Sequence, residues 1–594
     1  MKKLIINSLI LIVLLLLTDN KTNGISAINT TPPSRYEVAQ NNLKASYDGP
    51  GTAALPWKTI SKAAEKVNPG DVVIIHEGIY RERVLIKTSG TEQQPIRFEA
   101  APGERVILTG ADQLTGWTKL PSENPIFTIA WPYSFVNNAK TGSMIHPDDE
   151  YHKLIGRCEQ VIVNGYLLKQ VLVASQLAPG TFCSDTGNKI LYAWDATNRD
   201  MNSRDIYAEA SVRSEILRVE GAYIQVRGLQ FRYAANFAQR GAVQLMGHHA
   251  LLEDCVIEQM NACGISFRAP DMIVRRCTIR DNGQLGFGGS NAHRLLFTEC
   301  TVENNNTKNY SRQWEAGGDK LALCRGVILE KSRFIRNRGT GIWFDIGNDS
   351  STVRNCYIAD NEASGLFYEI SFRLLAYDNV ITGNGFAIDP GNWGVTAGIS
   401  LSSSPNCIIE RNLLVGNKEG FAFREQYRTT PIIGDRTERP VWNHNEIIRN
   451  NIIAYNRDGQ VYAWFNQKDE RHLPSKIPGK IAIKPDEIKR DEKGQPTGMT
   501  LEDLNIRFEN NTYYAYPDQG MIKWGPSFSK SQRVYPAITE FQADLKIDAG
   551  GKIIEPMFSD LRAKDFRLSR KDMAALKGNY PKGDVPGVVL GIQP

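Results

Sequence analysis

The chain has 594 residues, with 70 Lys and Arg against 65 Asp and Glu and a formal net charge of +5. That near-balance has no basic run of the kind that binds nucleic acid or an anionic membrane, and the length suits several domains or one solenoid with additions. Nine cysteines without CxxC or His-rich spacing give no reason to expect a structural zinc or other metal site.

Residues 1–27 open with Lys2 and Lys3, continue through an apolar run to Leu17 and end in small and polar residues. This is the pattern of a cleaved secretory signal, too short for a membrane anchor and without a Cys for lipid attachment. A secreted or periplasmic protein is expected, with no membrane span. Residues 35–113 form an N-terminal cap and first coils. Pro56–Val67 has helical periodicity and stops before Asn68-Pro69-Gly70, and two strand-like runs follow, Asp71–Ile75 and Arg83–Ile86. A short helix there would close an exposed solenoid end against edge pairing. Residues 114–220 break the pattern and read as an antiparallel β insertion. Asn164-Gly165 gives a hairpin signal, and Gly187-Asn188-Lys189 marks a second turn.

From 221 to 465 the chain repeats. Glycines that open a strand fall at 241, 264, 286, 318, 341, 365, 398 and 420, at intervals of 23, 22, 32, 23, 24, 33 and 22 residues. One Asn/Asp-rich turn per period and β-branched strands are the pattern of a parallel β-helix. The two long intervals hold inserted loops, Asn304–Ala316 and Gly385–Ala397. Cys255, Cys277, Cys300 and Cys356 recur at one position of the repeat; they read as a ladder of small buried residues rather than disulfides. Residues 466–500 are a charged surface insertion, and 501–594 are C-terminal coils and a tail, whose last residues, from 571, are expected to pack across the end.

If each repeat is one coil, Asp345 and Glu369 lie one rung apart, about 4.8 Å. Alternation puts Ile342, Phe344, Leu366 and Tyr368 inside, and Trp343, Asp345, Phe367 and Glu369 outside. The same outer column carries Arg268, Lys320 and Arg424, with Glu315 where an inserted loop rejoins the strand. Two carboxyls this close do not both ionise readily. A proton donor beside an anionic nucleophile is what a retaining glycosidase needs, at about 5–5.5 Å. Asp345 and Glu369 are therefore the candidate catalytic pair, and Glu315, Lys320, Trp343, Phe367, Arg268 and Arg424 the candidate substrate-binding residues. An isolated outward Asp or Glu is ordinarily only solvated. His76 and His293 read as structural.

The segment from Pro56 to Val84, PWKTISKAAEKVNPGDVVIIHEGIYRERV, resembles the N-terminal cap of secreted right-handed β-helix carbohydrate-active enzymes. Gly341–Ser371, GIWFDIGNDSSTVRNCYIADNEASGLFYEIS, and Trp314–Leu323, WEAGGDKLAL, resemble the β-helical β-xylosidases of glycoside hydrolase family 120. That resemblance implies the right-handed sense of the helix, Asp345 as nucleophile, Glu369 as acid/base and Glu315 as a substrate-binding residue. The chain departs from the family in having one more residue between the two carboxyls and Trp314 where a His is expected. Family 141, with fucosidase and xylanase members, is a second choice. The expectation is an all-β right-handed parallel β-helix that hydrolyses a plant or algal polysaccharide or its oligosaccharides without a cofactor. Two alternatives stay open: a polysaccharide lyase on the same fold, in which Lys320, Arg268 or Arg424 acts on a uronate and Ca²⁺ is held by Asp345 or Glu369, and a glycan-binding β-helix without catalysis.

Overall fold

The computed structural model describes residues 33–136, 154–312, 314–387, 395–465, 472–473, 490, 492, 494, 499–500, 504–525, 533–568 and 576. The signal segment, most of 466–500 and the chain beyond 576 lie outside the described residues. Three sheets of 13 strands each, parallel apart from one terminal strand, run the length of the molecule, and successive strands of the coils visit them in turn. One coil, for example, runs from Thr352–Arg354 to Tyr357–Ala359 and then to Leu366–Glu369. This is the expected parallel β-helix.

The coil closes because its corners bend at single residues in the left-handed backbone region. Between the first two sheets Arg276, Asn355, Asp378 and Asn450 have φ near +55°. Asn and Asp tolerate this conformation best among residues with a side chain. Inside, one aliphatic or aromatic side chain per strand stacks on the next, from Val38 near the N-terminus to Phe541 near the C-terminus. Buried amides satisfy the corners. Asn282, Asn305, Asn337, Asn361, Asn384, Asn417 and Asn456 form a ladder in which each Nδ2 donates to the next Oδ1 at 2.9–3.1 Å. The predicted cysteine column is equally internal: Cys255, Cys277, Cys300 and Cys356 are free and buried, and the position becomes Asn379 in the next coil.

The helix Ile60–Lys66, capped by Thr59, seals the first coil. At the far end Arg533–Tyr535 turns antiparallel onto Ile522–Trp524, and the helix Ile538–Leu545 buries Phe541 against them. The chain then returns along the flank; the residues from 571, expected across the end, lie outside the described residues apart from Leu576. The hairpin Phe558–Asp560 and Asp565–Leu568 lays Phe566 over Tyr357, Leu413 and Val415.

The insertion is two sheets, an antiparallel one of four strands and one of five that is antiparallel except for Lys169–Gln170, which runs parallel to Thr181–Asp185. Asn164-Gly165 makes the expected tight hairpin, with both φ values positive (51° and 84°). It ends earlier than the sequence suggested: Leu217–Val219 is already a coil strand, paired with Val84–Ile86 and Val243–Leu245. A second hairpin, Arg428–Ile432 and Asp435–Val441, projects from the coils after Gly420, where no inserted loop was expected.

Candidate active site

The sheet that contains Ile342–Phe344 and Leu366–Glu369 carries the candidate residues. Ile342, Trp343 and Phe344 pair in register with Leu366, Phe367 and Tyr368. Asp345 and Glu369 therefore stand at the same step of adjacent rungs, at the downstream end of their strands. Ile342, Phe344, Leu366 and Tyr368 belong to the core. The carboxyls point outward, yet both are covered, with 7% and 6% of their surfaces exposed. An outward position on a solenoid is normally wet, so something lies over them.

On the Asp345 side the cover is Lys320, whose Nζ lies 2.9 Å from Asp345 Oδ2 and 3.4 Å from Glu315 Oε1. The same ammonium sits over the Trp343 ring, 4.2 Å from its centroid. Burial alone would lower the Lys320 pKa, but the charges of Asp345 and Glu315 hold it above the ordinary lysine value. Asp345 Oδ1, in contrast, is buried and meets no hydrogen-bond donor among the described residues. Burial, followed by the charge of Glu369, raises Asp345 to about 6, against the opposing pull of Lys320. On the other side the cover is Arg428 of the hairpin, whose Nη1 donates to Glu369 Oε1 at 2.6 Å. Each carboxyl thus has its own cation, one from the sheet and one from an inserted element.

The other sequence-derived residues divide. Glu315, φ +41°, comes in from the end of its loop to join Lys320. Trp343 and Phe367 pack on each other, centroids 5.4 Å apart at 33°, and are almost fully buried. They form the floor of the site, with one Trp343 face taken by Lys320. Arg424 is paired in register with Ser402, which is paired with Glu369; burial lowers it to about 10, partly offset by the charge of Glu369. Arg268 is in the same column but three rungs away, exposed, and donates to Ser290 Oγ at 3.0 Å.

Two residues of the site were not read from the sequence. Arg428 comes from a hairpin with no periodic signal. Asp319 shares the inward parity of Leu321, and its Oδ1 accepts the Trp343 backbone N–H at 2.7 Å. Burial pushes Asp319 well above the usual carboxylate range, and its Oδ1 stands in for a ladder carbonyl beneath the site. An acid at an inward position of the repeat was the available clue. Among the described residues no group of three or more His, Cys, Asp or Glu is placed to hold a metal ion.

A family model described as "Right handed beta helix region" matches residues 195–318, 241–414 and 324–437. The solved structure described as XylC in complex with xylose is 17% identical, with a TM-score of 0.59, over 82% of this chain and 85% of that one. A structure described as a glycoside hydrolase superposes with a TM-score of 0.44 at 12% identity, over 86% of this chain and 99% of the other. A curated relative, uncharacterized protein YwoF of Bacillus subtilis (strain 168), is 40% identical over 60 residues, which is 10% of this chain and 13% of that protein. The fold is a right-handed parallel β-helix.

Proposed function

We propose that the protein is a secreted or periplasmic glycoside hydrolase that cleaves a plant or algal polysaccharide or its oligosaccharides by a retaining mechanism. The observation that carries this reading is the Asp345–Glu369 pair on adjacent rungs, with Oδ2 of Asp345 held by Lys320 and Oδ1 unengaged. A separation near one rung matches nucleophile and acid/base of a retaining enzyme. In the first step Asp345 Oδ1 attacks the anomeric carbon as the bond to the leaving oxygen breaks, and Glu369 gives that oxygen its proton. In the second, water gives a proton to Glu369 and its hydroxyl to the anomeric carbon, which releases Asp345. Lys320 orients the nucleophile, while Glu315 accepts from a sugar hydroxyl. The resemblance to family 120 makes β-xylosides the first substrates to try. The raised Lys320 pKa counts against Lys320 as the base of a lyase, since an ammonium held by two carboxyl groups is a poor proton acceptor.

The test is a time course of purified protein on plant and algal polysaccharides and aryl glycosides, with new reducing ends followed beside the absorbance of unsaturated uronates. Reducing ends without absorbance are expected; rising absorbance would establish a lyase, and binding without product a glycan-binding protein. Asp345→Asn should abolish turnover of every substrate. Glu369→Gln should lose at least 100-fold on glycosides with poor leaving groups and far less on dinitrophenyl glycosides, which need no acid. Full activity of either variant would sink the assignment.

A further inference from the structure

The hairpin 428–441 lies across the turns that carry both carboxyls, through two separate contacts. Arg428, its first residue, donates to Glu369 Oε1 at 2.6 Å. Pro431, three residues on, meets the turn after Asp345: a Cβ placed on Gly347 would come within 2.3 Å of the Pro431 carbonyl oxygen. Glycine at 347 is thus required twice over, by that close approach and by its φ of +62°. An acid catalyst must reach the leaving oxygen through a carboxyl oxygen at about 2.6–3.2 Å, and Arg428 occupies one of the two that Glu369 has.

We propose that Arg428 is a positioning residue that decides which carboxyl of the pair holds the shared proton. In the empty site its guanidinium keeps Glu369 as the carboxylate and leaves the proton to Asp345; when a substrate's leaving group displaces it, the proton passes to Glu369 and Asp345 becomes the nucleophilic anion. This rests on the reading of the two residues as nucleophile and acid. The charged groups that face Glu369 are Arg428 from the hairpin, Arg424 from the next strand but one, and Asp345 and Lys320 from the preceding rungs. Of these, Arg428 alone belongs to an element inserted between coils, whereas the other three are held in the register of the sheet. The resting distribution agrees with the proton affinity of Asp345, which burial and the neighbouring Glu369 charge raise.

The experiment compares wild type with Arg428→Met, which keeps an unbranched chain of similar reach without the charge, and with Arg428→Lys, which keeps the charge. Infrared spectra of protein labelled with ¹³C at Asp or at Glu side-chain carboxyls need no substrate. Near pH 5.5, Arg428→Met minus wild type should show loss of a protonated Asp band and gain of a protonated Glu band, and Arg428→Lys should show neither. In kinetics on an aryl glycoside, the alkaline limb of kcat/KM should move up by at least one pH unit in Arg428→Met and stay within 0.3 unit in Arg428→Lys. Gly347→Ala, which pushes the hairpin outward and leaves every charge in place, should move the limb in the same direction. Unmoved bands and limbs with a uniform loss of rate would overturn the proposal and make Arg428 a structural contact. Exchange of the bands in a protein whose Asp345→Asn and Glu369→Gln variants still turn over would leave the proton switch standing and remove the catalytic roles.

Discussion

Ile346 and Ile370 follow the two carboxylates directly, and both sit in the left-handed backbone region, at φ 60° and 38°. The same corner in neighbouring coils is held by Asn291, Leu323 and Ser403, also at positive φ. The corner is therefore imposed by the solenoid, and a β-branched residue there costs about 1–3 kcal/mol. Ile346→Asn should raise unfolding stability by roughly 1 kcal/mol in denaturant titration; a loss would mean that the isoleucine side chain packs usefully enough to outweigh the strain. Asp345 carries a second cost. Its folded pKa, raised to about 6, lies above the ordinary Asp value, so the folded state binds this proton more tightly than the unfolded chain. Stability from this group is then lost as pH rises from about 4 through 6. Asp345→Asn should be the more stable protein at pH 7, by on the order of 2 kcal/mol, with the advantage shrinking as pH falls toward 4. Activity should follow the same proton: kcat/KM should fall about tenfold per unit above pH 6, as the empty site loses the shared proton that Glu369 must give to the leaving oxygen.

At the scale of the element, the asparagine ladder shows how the coils keep their register. Asn361 accepts from both Asn337 N and Asn337 Nδ2, and donates to Phe334 O and Asn384 Oδ1. Asn361→Leu would leave the two Asn337 donors buried without an acceptor, a loss of about 1–3 kcal/mol for each group. We expect a clear fall in the unfolding midpoint; an unchanged midpoint would show that the ladder adds little beyond the apolar stack. Much of this element was legible. The 24-residue interval that joins Asp345 to Glu369 translates directly into adjacent rungs, because a solenoid converts sequence period into a fixed spatial step. The hairpin 428–441 was not legible as part of the site. Its Arg428 meets a partner 59 positions away, at a contact with no period behind it. Trp343 and Phe367 were placed correctly on the outer side, but alternation cannot show that Lys320 and each other would cover them.

Among the described residues the molecule is a closed stack with one large excursion. The insertion leaves and rejoins the coils at adjacent points, where Val212 N and Arg213 N both donate to Gly110 O, at 2.8 and 3.0 Å. The ends of such an excursion can be joined with little disturbance to the strands on either side. A variant in which a short Gly-Ser linker replaces residues 112–211 should keep the far-ultraviolet dichroism of the β-helix and a cooperative transition; an insoluble product would show that the coils need the insertion. Tyr310 Oη donates to Ile155 O at 2.7 Å, and Lys308 Nζ to Arg157 O at 2.6 Å, so the loop leading to Glu315 also clasps the insertion. Loss of activity in a folded deletion variant would trace to that loop. A helix lies at each end of the stack, Ile60–Lys66 against Arg35–Val38 and Val84–Ile86 and Ile538–Leu545 against Arg533–Tyr535, and covers edges there that would otherwise invite pairing with another chain.

The sequence by itself determined the β-helix, its cap, the turn of the insertion, the internal cysteine column and the pairing of Asp345 with Glu369. All of these depend on period and on alternation, which are local properties repeated along the chain. Only the tertiary structure decided what surrounds the pair: Lys320 bridging Asp345 and Glu315, the buried acid of Asp319 under Trp343, and Arg428 arriving on a hairpin to hold Glu369. Those contacts are made between residues at unrelated positions of the repeat, and the proton affinities that follow depend on burial and on charges summed in space.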